Sequence, residues 1–345
     1  MNLITLNDKN IKDDLWPFTL TRSILDIRIG ILTLREKWEL LSGSKIEIDD
    51  KAPSLPANII PTPTTIESWN NHDKRFILSS ENKITYAWDI LKINQDQIKE
   101  DFAIITKGKI SKPIPSTNKI IAAENIFVEE GAKIEFAMLN ASGGPIYIGK
   151  NAEVMEGSLI RGPFALCQNS VVKMGTRIYG ATTVGKNCVV GGEIKNSLIG
   201  DYSNKAHDGY LGDSMIGEWC NIGAGTSNSN IKNTGSDVMV WNDPAKQFIN
   251  AGQKCGLIMG DYSRCAINTS FNTGTIAGVC SNIFGDGLTP KLIPSFSWGF
   301  GESTYEFEKA IEDIRRWKKL KDQSLSDSEI QVLKHIFEQA KSNNK

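Results

Sequence analysis

Three histidines occur in the 345 residues, at positions 72, 207 and 335. Imidazole is the side-chain type best suited to take and return a proton near neutral pH. His335 falls in a stretch of helical spacing, and His72 follows Trp69-Asn70-Asn71 in a polar loop; both read as surface residues. His207 stands apart. It sits in Asn204-Lys205-Ala206-His207-Asp208-Gly209-Tyr210-Leu211-Gly212-Asp213, where a six-residue repeat fails, and breaks in a repeat are where loops and sites collect. On the residues alone, a general base and a solvated loop histidine are equally good readings. Upstream, Arg177 and Lys195 have the chemistry to hold an anion, arginine through its fork and lysine as a point charge. The plainer reading of both is solvated charge on a coil face.

The element that must position these residues is visible in the glycines and aliphatics. Of 30 glycines, three precede residue 130, and the other 27 lie between Gly131 and Gly301. In the same window, stepping by six from Ile148 gives Ile148, Val154, Ile160, Leu166, Val172, Ile178, Val184 and Val190, eight aliphatic residues in succession. A frame of Ile114, Ile120, Ile126, Ala132 and Met138 precedes it, and one of Met259, Cys265, Phe271, Ala277 and Ile283 follows. The breaks carry insertions near 140–145 and 232–254. A period of six fits neither a helix nor a simple alternating strand. It fits a short strand plus a turn repeated as one side of a coil, with glycine supplying turns of positive φ. The spacing therefore predicts a parallel β-helix with three hexads per triangular coil, against the weaker alternative of an antiparallel sandwich. Beyond it, Ser303-Thr304-Tyr305-Glu306 and Ser326-Asp327-Ser328-Glu329 read as capping boxes. Helical spacing follows each, at Phe307, Ile311, Ile314 and at Ile330, Leu333, Phe337, Ala340.

Composition narrows the partners. With 39 basic against 40 acidic residues and no basic block, neither nucleic acid nor an anionic membrane is the expected partner. No run of 18 apolar residues is present to span a bilayer. The N-terminus lacks the plan of a secretory signal, and the six cysteines, with no C-x-x-C pair, read as reduced structural thiols. The expected location is the cytoplasm.

His207-x-x-Tyr210-Leu211-Gly212-Asp213 followed by Ile216-Gly217-x-x-x-Asn221-Ile222-Gly223-Ala224-Gly225-Thr226 resembles the acetyltransferase domain of the bifunctional bacterial enzyme of UDP-N-acetylglucosamine synthesis. That enzyme combines a glucosamine-1-phosphate acetyltransferase with an N-acetylglucosamine-1-phosphate uridylyltransferase. The whole chain, with Pro17-Phe18-Thr19-Leu20-Thr21-Arg22 and Phe296-Ser297-Trp298-Gly299, looks like a shortened, Bacteroidetes-type, sugar nucleotidyltransferase-like form of it. The resemblance implies a mainly β fold: a left-handed parallel β-helix of hexapeptide repeats over 111–301, with a truncated nucleotidyltransferase-like α/β domain over 1–110 and a helical segment over 302–345. It implies a homotrimer with sites between subunits. Carried over position by position, it makes His207 the catalytic base with Glu193 as the acidic residue near it. Arg177 and Lys195 fall on sugar-phosphate contacts, Tyr210 and Asn221 on substrate contacts, and Ala224 on the acetyl-CoA side.

These residue types suit transfer of an acetyl group from acetyl-CoA to an amino sugar phosphate. His207 would take the amine proton, Glu193 would orient the imidazole, and turn N–H groups would stabilise the oxyanion. A three-histidine metal site of the hexapeptide-repeat carbonic anhydrase kind is not available, since the repeat window holds His207 alone. Residues 1–110 should form the separate α/β unit. Ile31, Leu34, Trp38 and Leu41 have helical spacing stopped by Gly43, and Phe76-Ile77-Leu78 and Phe102-Ala103-Ile104-Ile105 are short strand candidates. The related nucleotidyltransferases cradle phosphates with a glycine-rich loop, but here residues 15–22 contain no glycine. Arg22, Arg28, Arg35 and Lys37 could bind phosphate; ion pairs with Asp26 and Glu36 are the stronger expectation. Mg2+ is implied only if nucleotidyl transfer is retained. The competing functions are a sugar-1-phosphate nucleotidyltransferase, and a sugar-nucleotide-binding module that has lost both activities.

Overall fold

The computed structural model describes residues 3–9, 11–49, 55–71 and 83–343. His72 and the 76–78 strand candidate lie outside them. From Lys119 onward the chain winds as a parallel β-helix. Each side of the coil is a two- or three-residue strand that pairs in parallel with its counterpart one coil away. Phe164–Leu166, for example, lies between Ile146–Ile148 and Thr182–Val184. The three sides stack into sheets, one of them nine strands tall.

The eight aliphatic residues of the main register all point into this coil, each no more than 2% exposed. They stack in columns because each pairs with the residue three hexads away: Leu166 with Ile148 and Val184, Val172 with Val154 and Val190. The later frame, from Met259 to Ile283, is buried throughout. The earlier frame holds only in part. Met138 faces solvent, and Leu139, paired with Ile160, takes the inward place. The step from Ile134 to Leu139 is one residue short of the repeat. With Leu166 fully buried in such a column, Leu166→Ala should cost about 2–5 kcal/mol, read by urea unfolding.

Glycine works differently from expectation at many corners. Several positive-φ corners are occupied by asparagine: Asn151, Asn169 and Asn187 sit at φ 56, 58 and 58. Their side chains bond in a ladder, at 3.4 and 3.2 Å between amide nitrogen and oxygen. Asparagine tolerates this conformation better than other side chains. Gly185, by contrast, is required by close approach: a Cβ there would lie 2.8 Å from the Asp201 nitrogen and 2.9 Å from the Ile199 oxygen of the next coil.

The N-terminal elements form a three-stranded parallel sheet, with Leu3–Asn7 between Lys45–Ile48 and Leu55–Pro56. Helix α1 (Leu34–Ser42) starts on a capping box between Thr33 and Glu36 and ends at Gly43, φ 65, as its spacing predicts. Helix α2 (Pro63–Asn70) follows, then α3 (Ala87–Thr106), 20 residues long. Helix α3 corrects the reading of 102–105 as a strand. Ile90, Leu91, Asn94, Ile98 and Asp101 are buried along one face at helical spacing, and four apolar residues at its end are too short a window to reveal that period.

Apolar and ionic contacts fix these elements to the β-helix. Ile24, Trp88 and Leu91 share one core with Leu198, Met215 and Ile258. The 232–254 insertion folds as an antiparallel hairpin, Met239–Asn242 with Gln247–Asn250, and adds Val238 and Val240 to that core. Arg22 bonds Glu218 and Asp261, and Arg28 bonds Asp201 at 3.1 Å with Glu36 at 3.7 Å. Arg35 pairs with Asp26 at 2.7 Å, and Lys37 pairs with Asp101. The four cations considered for phosphate binding are thus all held by carboxylates.

At the other end, α4 (Phe307–Lys319) and α5 (Asp327–Asn343) cover Trp219, Tyr262 and Phe296. The Ser326 box forms, with Glu329 N–H on Ser326 Oγ at 3.3 Å and Ser326 N–H on Glu329 Oε2 at 2.8 Å. The one proposed at Ser303 does not. Ser303–Thr304 instead pairs as an antiparallel strand with Ser297–Trp298, and α4 begins after Glu306 without a side-chain cap. All six cysteines are free and buried. Among the described residues no helix is long and apolar enough to cross a membrane.

Candidate functional site

One sheet of the β-helix positions most of the expected site. Its successive strands include Leu159–Arg161, Arg177–Ile178, Glu193–Lys195 and Tyr210–Gly212. Ile160, Ile178, Ile194 and Leu211 point inward, so their neighbours on either side must point out. That alternation places Arg177, Glu193 and Tyr210 in one outward column, on adjacent rungs about 4.8 Å apart. Lys195 stands two residues from Glu193, in the next column of the same face. Arg177 Nε lies 3.5 Å from Glu193 Oε2.

His207 occupies the corner just before Tyr210 and is exposed. Its imidazole has no hydrogen-bond partner among the described residues, and Glu193 is ion-paired with Arg177 rather than with it. The corner itself is held from below. Lys205 is an inward register residue: Val190 lies beside it on the previous coil, in a position otherwise filled by aliphatics. It is 2% exposed, and its ammonium donates to Gly191 O at 3.0 Å and His207 O at 2.6 Å. Burial pushes this lysine down to about 8, against the pull of Asp208.

Lysine in an unfolded chain keeps its proton to about pH 10.4. Between about pH 8 and that value the unfolded state therefore binds more protons, and this group makes stability rise with pH. Lys205→Met should remove that rise, seen by comparing urea midpoints of the two proteins from pH 7.5 to 10 (about the limits of the window).

Tyr210 and Asp213 are tied together by a residue that sequence reasoning missed. Asn230 Nδ2 bonds the Tyr210 hydroxyl at 3.2 Å and also Asp213 Oδ2, while Asn196 Nδ2 holds Asp213 Oδ1 at 2.6 Å. Burial, with the Asp213 and Glu193 charges added, pushes the Tyr210 phenol up. Asn230 lies two residues before the 232–254 insertion, where the repeat gives no register by which to place it.

The remaining two residues lie elsewhere on the coil. Ala224 is on the same corner as His207, one coil further: Gly225 N–H bonds Asp208 O at 3.0 Å. Asn221 is on a different sheet, bridged to Asn204 and Arg264. Within one chain, Asn221 is therefore not brought to the face that carries Arg177, Glu193, Lys195 and Tyr210.

The parallel β-helix thus carries cations, a carboxylate and a tyrosine on one face and a histidine at the adjoining corner. Comparison with known proteins gives the following likenesses. The family model described as "Sugar nucleotidyl transferase" matches residues 3–49. The Bifunctional protein GlmU of Methanococcus maripaludis is 26% identical over 296 residues, covering 86% of this chain and 63% of that protein. The one from Methanocaldococcus jannaschii is 31% identical over 200 residues, covering 57% and 42%. That of Synechococcus elongatus is 28% identical over 139 residues, 39% of this chain and 31% of the relative. The chain is thus similar to GlmU over much of its length and to sugar nucleotidyl transferases over residues 3–49, and its matches span less than two thirds of these relatives' length. The solved acetyltransferase NeuO, polySia specific, covers 60% of this chain and 94% of its own at 15% identity and TM-score 0.19, too slight a likeness to carry an argument.

Proposed function

We propose that the chain is an acetyl-CoA-dependent N-acetyltransferase acting on a phosphorylated or nucleotide-linked amino sugar, with His207 as general base. The observation that carries this reading is the single outward face on which Arg177, Glu193, Lys195 and Tyr210 stand in register beside the His207 corner. Lys195 and Arg177 would hold the phosphate, Tyr210 the sugar, and the unpartnered imidazole would take the amine proton as nitrogen attacks the thioester carbonyl. The coenzyme A thiolate leaves and is protonated, so one free thiol forms for each amide. Glu193 is the partner for the charged imidazole once a substrate phosphate competes for Arg177. Ala224 marks the coenzyme side of the corner.

In this reading the division 1–110, 111–301 and 302–345 separates a docking unit, the catalytic coil and a helical cap. The assignment of Asn221 to substrate fits a site completed by a neighbouring subunit of a homotrimer. A cytoplasmic location fits the substrates. Nucleotidyl transfer with Mg2+ is the less favoured activity, because Arg22, Arg28, Arg35 and Lys37 are all engaged with carboxylates. The test offers glucosamine-1-phosphate or its uridine-diphosphate-linked counterpart with acetyl-CoA, followed by thiol release, and a nucleoside triphosphate with Mg2+ and a sugar phosphate, followed by pyrophosphate release. Thiol without pyrophosphate is expected; pyrophosphate without thiol would reverse the assignment.

A further inference from the structure

A cleft of about 720 Å³ lies between α3 and the β-helix, and Lys195 is on its wall. Neither His207 nor Ala224 lines it. Glycines from successive coils, Gly143, Gly162 and Gly180, make part of its floor. A Cβ on Gly180 would lie 2.8 Å from Gly162 O, so the close approach of successive coils there requires glycine.

The charge of the cleft is unbalanced. Four basic residues line it against two acidic ones. Both acids are occupied: Asp96 by Lys99 at 3.1 Å, and Asp213 by the Asn196 and Asn230 amides. Arg161, Lys195 and Lys254 have no ion pair and no side-chain hydrogen bond among the described residues. Arg161 and Lys195 share one outward column. The register that pairs Ile160, Ile178 and Ile194 puts Tyr179 between them, so they stand two rungs, about 9–10 Å, apart. Tyr179 is exposed and lines the cleft. A sugar monophosphate is small for such a space, which falls in the range that encloses a drug-sized ligand. Spaced, unpaired cations suit an extended ligand that offers several phosphate oxygens, and a space of this size has room for a base beyond them.

We propose that this cleft binds the nucleoside diphosphate part of a nucleotide-linked amino sugar, with Arg161 and Lys254 on the phosphate nearer the base and Lys195 on the phosphate that bears the sugar. The proposal rests on the acetyl-transfer reading for the direction of the sugar and narrows its acceptor to the nucleotide-linked class. Coenzyme A also carries a nucleoside diphosphate. The cleft is assigned to the acceptor because it contains Lys195 and not the corner of Ala224.

Calorimetric titration of the full chain with uridine diphosphate, with and without saturating coenzyme A, tests this independently of turnover. Saturable binding is expected, undisturbed by coenzyme A and weakened at least about tenfold in Arg161→Gln/Lys254→Gln. Both positions are exposed, and an unchanged unfolding midpoint would verify that the variant folds. No saturable binding, equal binding by the double variant, or displacement by coenzyme A would each overturn the assignment. Acetyl transfer to glucosamine-1-phosphate with no uridine diphosphate binding would sink this inference alone. Binding as expected, with no acetyl transfer to either acceptor, would sink the transferase reading alone.

Discussion

His207→Ala should lower acetyl transfer by about 10²–10⁴-fold, the usual contribution of a positioned general base. The same variant should unfold within about 0.5 kcal/mol of the wild type, as surface substitutions commonly do. The two expectations belong together because of how the corner is built. The imidazole is exposed and unbonded, so its removal leaves no buried group unsatisfied. The structural duty at this corner falls on the main chain, where the Lys205 ammonium holds the His207 carbonyl at 2.6 Å, and alanine keeps that carbonyl. The loss should fall on kcat more than on KM, since the phosphate contacts proposed for Arg177 and Lys195 are untouched. Steady-state thiol release and urea unfolding on the two proteins check both halves. A variant with full activity would remove His207 from the mechanism.

The largest effect on stability is expected from Asp101→Ala, about 3–5 kcal/mol in urea unfolding. Asp101 on α3 is 1% exposed and bonds the Lys37 ammonium of α1, itself 3% exposed. Its other oxygen accepts from the N–H groups of Ile31 and Leu32, at 2.7 and 3.0 Å. Burial pushes the lysine down and the carboxyl up, each opposed by the attraction of the other. Removing the carboxylate leaves a buried ammonium and two amides without partners at once. Lys37→Met added to Asp101→Ala removes the stranded charge and should recover part of the loss. A double variant as unstable as the sum of both single ones would show that the pair is not coupled.

The coil was legible because its rule is local and repeats. A residue that must face inward once in six is aliphatic from Ile148 to Val190, and every one is buried. The register was lost where the inward position takes a polar residue with its own bonds. Lys205 is one. Asn228 is another, its side chain exchanging bonds with Gly212 N and O at 2.9 and 3.0 Å. An aliphatic search stops at both, yet the coil continues. Turn lengths differ near there too, with inward steps of four from Val190 to Ile194 and of five from Ile194 to Ile199.

The column of Arg177, Glu193 and Tyr210 could be named from the resemblance, but its geometry follows only once those shortened turns bring the strands into register. Asn230 and the cleft were out of reach for a different reason. They depend on the hairpin insertion and on α3, which come from distant parts of the chain and carry no six-residue signal. The cations of the N-terminal segment show the same limit. Arg22 meets Asp261 across 239 residues, a pairing that no local spacing announces.

The central claim is that the face beside His207 transfers an acetyl group to an amino sugar. It is tested most directly by incubating the purified full chain with acetyl-CoA and glucosamine-1-phosphate or its uridine-diphosphate-linked counterpart, and measuring thiol and N-acetylated sugar by mass spectrometry. The expected result is thiol and amide in equal amounts from wild type, and neither above background from His207→Ala. No amide from either amino sugar, or equal yields from the two proteins, would contradict it.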